Sequence, residues 1–132
     1  MPCQEMFIKL KEALETTFKG TPQAELMQSL YEGKQRSGVR CKECGTLSAQ
    51  PEVYTDINLT VRQFGQQDSI KSVEEGLKNF YEQEPLEGAN QYQCDKCNKK
   101  CDAEKGYSCV TVPYILFLNL KRFDYGTSPS SL

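Results

Sequence analysis

Two C-x-x-C pairs, Cys41-Lys-Glu-Cys44 and Cys94-Asp-Lys-Cys97, constrain this chain more than any other feature. Each pair points two sulfurs inward from one tight loop. Gly45 follows the first pair and Asn98 the second; both residue types tolerate a positive φ, which lets the backbone curl around a metal. Two such loops supply four thiolates in a tetrahedron, the closed geometry of structural zinc. Zinc lowers thiol pKa values, so all four sulfurs can be ionised near neutral pH. Between the pairs lie 49 residues, Gly45 to Gln93, more than a small zinc module contains. The fold must therefore carry an insert and still bring both loops together. The competing readings are a redox C-x-x-C and two unrelated free pairs; two pairs in one chain favour the metal. With four thiolates no coordination position stays open, so the expected Zn2+ is structural rather than catalytic.

The 132 residues contain no histidine. Histidine is the usual general base of cysteine and serine hydrolases, and the commonest partner of cysteine at mixed zinc sites. Any zinc must therefore rest on thiolates, and any thiol nucleophile would lack an imidazole to activate it. Net charge is −2, which gives no reason to expect nucleic acid as a partner. The longest apolar run, Val112 to Leu118, is far short of the roughly 18–20 residues that span a bilayer, and suits a buried strand. No membrane partner is expected. The N-terminus enters an amphipathic segment without a signal-peptide pattern. Seven cysteines, an odd number, cannot form a fully paired disulfide framework. These features place the chain in the reducing cytosol or nucleus.

Met6, Phe7, Leu10, Ala13, Leu14 and Phe18 recur at helical spacing and predict a helix over Cys3 to Phe18, with Gly20 and Pro22 as its stop. Glu25 to Tyr31 reads as a transition, and Val39-Arg40 as a short strand entering Cys41. Pro51 to Val61 alternates with Val53, Ile57, Leu59 and Val61 on one face, which predicts one strand. Gly65 to Ser69 is a polar connector. A second helix is predicted over Val73 to Tyr81, its apolar face made by Val73, Leu77, Phe80 and Tyr81, with Ser72 and Glu75 as a capping box. Glu84 to Asn90 should turn. Tyr107 to Val112 and Tyr114 to Phe123 read as strands, and Gly126 to Leu132 as a polar tail. The order argues an α+β architecture with a mainly antiparallel sheet and two amphipathic helices.

Three cysteines lie outside the pairs. Cys101 follows Cys97 by four residues and can replace a ligand, although C-x-x-C is the tighter loop. Cys109 reads as a small core residue of a strand. Cys3 sits near a helix start, where the dipole can lower its pKa, without a histidine to pair with. Lys34, Arg36, Arg40 and Lys42 form a basic cluster best read as a solvated surface.

Four segments resemble the ubiquitin-specific proteases, the large cysteine deubiquitinase family. Cys3-Gln-Glu-Met-Phe, with Leu10 and Ala13-Leu14-Glu15, resembles the family's Q-D-x-Q-E-F helix. Leu30-Tyr31-Glu32-Gly33 leading to Val39-Arg40-Cys41 resembles the strand entering its zinc-bearing fingers. Asn90-Gln91-Tyr92-Gln93-Cys94 with Cys97, then Ala103-Glu104-Lys105-Gly106, resembles the return strand. Val112-Pro113-Tyr114-Ile115-Leu116 with Leu120-Lys121-Arg122-Phe123 resembles the L-K-R-F palm strand. Tyr54-Thr55-Asp56-Ile57 and Leu86-Glu87-Gly88 look closest to the branch of the herpesvirus-associated ubiquitin-specific protease.

The resemblance implies antiparallel β-rich zinc-ribbon fingers and part of the palm of a papain-like cysteine protease. It divides the chain into a partial domain over 1–125 (helix 3–18, fingers about 30–110, palm strand 112–123) and a tail over 126–132. The family's G-x-x-N-x-x-x-x-C-x-x-N-S box and the histidine that follows its L-K-R-F strand have no counterpart here, so the chain reads as a middle piece without its own catalytic residues. Ubiquitin, or a ubiquitinated protein, is the implied partner. Glu5 would face the basic ubiquitin tail, Tyr54 the ubiquitin body, and Arg122 and Phe123 the tail channel. A first-turn helix charge, a sheet aromatic and a core ring are the plainer readings of Glu5, Tyr54 and Phe123. An exposed palm strand would also offer an apolar edge for association.

Overall fold

A computed structural model describes residues 3–62 and 68–122. Phe123, the tail from Gly126 onward and most of the Gly65–Ser69 connector lie outside the described residues.

The first helix, α1, spans Cys3–Phe18 as its apolar spacing predicts. Glu5–Lys9 and Lys11–Glu15 pair at i,i+4 along it, at 3.4 and 2.7 Å. The buried side is narrower than the six-residue apolar face. Phe7, Leu14 and Phe18 are half-buried, whereas Met6 and Leu10 are each 57% exposed and Ala13 is exposed too. The helix is held along one line: the Phe7 ring stacks on Phe117 at 4.1 Å and meets Tyr31 edge-on at 5.3 Å. Gln4 adds polar contacts, donating to Asp56 Oδ2 at 2.6 Å and accepting from Asn119 Nδ2 at 3.0 Å.

The expected transition after α1 is a short helix, α2, at Leu26–Tyr31, which buries Met27. The described residues therefore contain three α-helices rather than two. Strand β1 covers Gly33–Cys41, far longer than Val39-Arg40. Its inward positions include Gly33 and Gln35, so no apolar alternation announces it. A Cβ on Gly33 would sit 2.4 Å from the Tyr54 ring, so only glycine fits beneath that aromatic.

Pro51 to Val61 is not one strand. It divides at Thr55 into β2, Leu47–Tyr54, and β3, Asp56–Thr60. The corner inverts the side-chain phase: Tyr54, Ile57 and Leu59 are buried while Val53 is 61% exposed. One continuous alternation in sequence thus serves two sheets. Helix α3 spans Val73–Tyr81. Ser72 Oγ accepts from the Glu75 N–H at 3.1 Å, as a capping box requires. The returning Glu75 carboxylate accepts from Lys71 N, one residue earlier than expected. On the buried face of α3, Gly76 lies against Leu59 and Ile70, with Leu77, Phe80 and Tyr81 beside it, while Val73 is exposed.

The predicted turn at Glu84 to Asn90 holds strand β4, Glu84–Leu86, and a 3-10 turn, Gly88–Asn90. A small hairpin comes next, β5 at Tyr92–Cys94 and β6 at Lys99–Cys101. Strand β7, Ala103–Thr111, begins four residues before its predicted start, and β8 is confined to Phe117–Lys121. The main sheet has the order β2-β1-β7-β4, all antiparallel. Beside it, β3 and β8 pair in parallel, Asp56 opposite Phe117 through Thr60 opposite Lys121. The architecture is α+β and mostly antiparallel. Two packing centres result. One joins Tyr54, Ile57 and Leu59 to Leu77, Phe80, Tyr81, Leu116 and Leu118; the other is made largely of cysteine. No helix among the described residues is long and apolar enough to cross a membrane.

Candidate metal centre

The 49-residue separation of the cysteine pairs is closed by one strand pairing. β1 ends at Cys41, and β7 runs antiparallel to it with Ala103 opposite Cys41. The β5–β6 hairpin lies immediately before β7, so the second pair arrives beside the first. The Lys42 N–H donates to Asp102 O at 2.9 Å, and Gln91 Nε2 donates to Asp102 Oδ1 at 2.8 Å. Lys42 Nζ bridges to Glu87 at 2.8 Å and Glu104 at 3.8 Å, and Lys99 Nζ pairs with Glu43 at 2.7 Å.

The two loops share one geometry. Gly45 N donates to Cys41 O at 3.0 Å, and Asn98 N donates to Cys94 O at 2.8 Å. Gly45 has φ 69° and Asn98 φ 58°, the latter being the one non-glycine residue with positive φ among the described residues. The sequence expectation for these two positions holds. Each loop thereby turns both of its sulfurs toward the other.

The four sulfurs of Cys41, Cys44, Cys94 and Cys97 lie within 4.8 Å of one another. Cys41 Sγ is 3.9 Å from Cys97 Sγ, and Cys44 Sγ is 3.7 Å from Cys94 Sγ. A tetrahedron with bonds of ~2.3 Å, the zinc–thiolate length, has an edge of about 3.8 Å. The spacing is that of a ligand set around a common centre, and well beyond a disulfide bond of ~2.04 Å. None of the seven cysteines is in a disulfide. This cluster can hold a metal ion. Cys41 and Cys94 are buried, while Cys44 and Cys97 are half-buried and close the outer side.

The surroundings of Cys41, Cys44 and Cys97 shift their thiols in different directions. The Cys44 backbone N–H pulls the Cys41 thiol down. Thr46, whose hydroxyl oxygen lies 3.2 Å from Cys44 Sγ, lowers the Cys44 thiol to about 6 through its side chain and backbone. Cys97 is pushed up, first by its contact with Cys44 and then by desolvation. Thiols packed this closely cannot all ionise without a cation between them, so the cluster is one in which a bound cation would favour the thiolate forms.

The other candidate residues fall in different places. Glu5 is exposed on the first turn of α1, and Arg122 is exposed just beyond β8. Tyr54 is buried, 7% exposed, with its hydroxyl donating to Thr111 O at 3.2 Å. That is the position of a sheet aromatic, and it leaves no ring face for a partner. Cys3 is exposed, and Cys109, expected in the core, is exposed on β7. In the basic cluster, Lys42 is committed to its two glutamates. Sequence reading gave no role to Gln4 or Asn119, which dock α1 on the β3–β8 pair; only their amide groups hinted at it. It also underrated Cys101, which is wholly buried against Cys41 and Cys94.

The family described as ubiquitin carboxyl-terminal hydrolase matches residues 4–128 of this chain. Ubiquitin carboxyl-terminal hydrolase 47 of Drosophila melanogaster is 49% identical over 123 residues, 93% of this chain and 8% of that protein. The human protein of the same name is 46% identical over 93% of this chain and 9% of its own length. Ubiquitin carboxyl-terminal hydrolase 15 of Saccharomyces cerevisiae is 34% identical over 92% of this chain and 9% of its own. The chain therefore spans less than a tenth of the length of these relatives. By a match that covers nearly all of it, the chain belongs to the ubiquitin carboxyl-terminal hydrolase family.

Proposed function

We propose that this chain is the zinc-bearing fingers and adjoining palm of a ubiquitin-specific protease, and that its work is to hold ubiquitin rather than to cut it. The cysteine tetrad carries this reading. Four soft thiolates in a closed set select zinc over magnesium or calcium and leave no position for substrate. Bound there, the ion supplies a crosslink between β1 and the β5–β6 hairpin. A site that needs free thiols belongs in the reducing cytosol or nucleus.

In the parent family a cysteine attacks the carbonyl after the ubiquitin C-terminus while a histidine serves as base. These 132 residues hold no histidine. The exposed thiols of Cys3 and Cys109 have no imidazole, and the tetrad is committed to metal. The chain alone is therefore assigned no hydrolysis. Release of a fluorophore from the ubiquitin C-terminus, lost in Cys3→Ala, would contradict this.

Glu5 and Arg122 remain as exposed groups suited to the ubiquitin tail. Tyr54 is withdrawn from that surface because it is buried. The likeness to the herpesvirus-associated branch rests on the residues around Tyr54 and Leu86. A nucleic-acid partner is disfavoured by the net charge of −2. Of the apolar edge expected at Ile115, Leu116, Phe117 and Leu118, Ile115 is exposed and the other three are half-buried; a monomer across a concentration series removes its role in association. Titration of isotope-labelled ubiquitin with the zinc-loaded chain, read by NMR, tests the reading directly. Saturable shifts on the ubiquitin body and tail support it. No shifts from a folded, zinc-loaded chain reduce it to a structural part.

A further inference from the structure

We propose that one face of β1 carries a docking groove for an extended acidic peptide, whose carboxylates, four residues apart, pair with Arg36 and Arg40 while the side chain between them rests above Gly38. This goes beyond the ubiquitin reading and does not depend on it.

Three observations carry it. Arg36, Gly38 and Arg40 stand at alternate positions of β1, so they share one face of the main sheet. With Leu47 and Ala49 of β2 and Glu104 of β7 they line an open groove of about 240 Å³. Both arginines are exposed, and among the described residues neither side chain has an ion-pair or hydrogen-bond partner. Arg40 stands directly opposite Glu104 in the sheet, yet that carboxylate is turned to Lys42 at 3.8 Å. The basic cluster expected from the sequence therefore divides: Lys42 is neutralised, and Arg36 and Arg40 are not. The middle of the groove is bare. Gly38 has Ala49 on one side and Gly106 on the other, and a Cβ at Gly38 would come within 2.6 Å of the Ala49 Cβ, so the close approach of β1 and β2 keeps that position without a side chain.

Shape and charge together select the ligand. A strand rises ~3.3 Å per residue, which sets the Cα atoms of Arg36 and Arg40 about 13 Å apart. An extended peptide has the same repeat. Its residues i and i+4 reach the two arginines, and residue i+2 comes over Gly38, beside Ala49 and the 39% exposed Leu47. Guanidinium forks grip carboxylates at two points, which favours an acidic side chain at each end. Glu104 lies in the same groove and repels a continuous polyanion, as does the net charge of −2. The fitting sequence is acidic, any, apolar, any, acidic.

Fluorescence anisotropy of labelled peptides, titrated with the folded full chain at low salt, tests this. A peptide with the core Glu-Ser-Val-Ser-Glu should bind saturably. It should bind about tenfold more tightly than its isomer Glu-Glu-Ser-Ser-Val or the neutral Gln-Ser-Val-Ser-Gln. Arg36→Gln and Arg40→Gln should each weaken it about tenfold, and Glu104→Gln should strengthen it. Equal binding of the two isomers, binding indifferent to both arginine variants, or no binding at low salt overturns the proposal. A single-stranded oligonucleotide that displaces the peptide and binds as tightly overturns it as well, because the face is then a general anion surface. The comparison of isomers uses the wild-type chain alone, so it decides even where a variant fails to fold.

Discussion

The two ends of this chain are held by opposite means. At the cysteine end the buried side chains are sulfur, and the long β1–β7 pairing brings Cys41 to the hairpin that carries Cys94 and Cys97. At the other end the buried side chains are hydrocarbon, Ile57 and Leu59 under α3 and β8. The cysteine end would close on itself around an ion. The hydrocarbon end would not: Met6, Leu10, Val112 and Tyr114 stay exposed. A small domain with few buried apolar residues gains most from a crosslink that does not depend on core volume.

The largest test of this contrast is removal of the metal. A structural zinc in small domains is worth ~10–16 kcal/mol of apparent binding energy, as large as the whole ~5–15 kcal/mol stability of a typical domain. Chelation, and equally Cys41→Ser, should unfold the cysteine end, with amide exchange rising first across β1 and β5 to β7. An unchanged melting temperature would break the comparison. Acid should act the same way with a definite sign. Because Cys97 is held above its usual pKa, binding at neutral pH must displace at least one proton. Metal affinity should therefore rise with pH, and weaken more steeply once pH falls below the Cys44 value of about 6, as a chelator-competition series would read.

Next in size is Leu59→Ala, a truncation at a fully buried position of the hydrocarbon end. It should cost ~2–5 kcal/mol while leaving metal content at one ion per chain. Loss of metal in that variant would mean that the two ends are not separable. Ser72→Ala removes the α3 cap and should cost ~1 kcal/mol, read as a lower denaturation midpoint. The smallest effect belongs to Glu43→Gln. Both partners of the Glu43–Lys99 pair are about half exposed, so the change should move stability by less than ~1 kcal/mol.

The metal centre was more legible in the sequence than the sheet around it, for physical reasons. Ligand chemistry demands a residue type at a fixed spacing, so Cys41, Cys44, Cys94 and Cys97 announce themselves, as do the positive φ angles at Gly45 and Asn98. Helix α3 was equally plain, because Ser72 and Glu75 mark its start. Strand β1 was nearly invisible, since its inward positions carry Gly33 and Gln35, which fit a close aromatic and a polar partner instead of an apolar core. The corner at Thr55 was hidden because the apolar alternation of Val53, Ile57 and Leu59 runs unbroken through it in sequence, while the buried face changes. Cys101 was underrated because spacing speaks for loops, whereas its burial comes from the register of β5 on β6.

Four thiols from two distant pairs holding one zinc ion is the claim on which the rest depends. Metal analysis of the purified chain, combined with X-ray absorption at the zinc edge, tests it most directly. The expected result is one zinc per chain surrounded by four sulfurs at ~2.3 Å. Zinc well below one per chain in folded protein, or nitrogen or oxygen among its ligands, would contradict it.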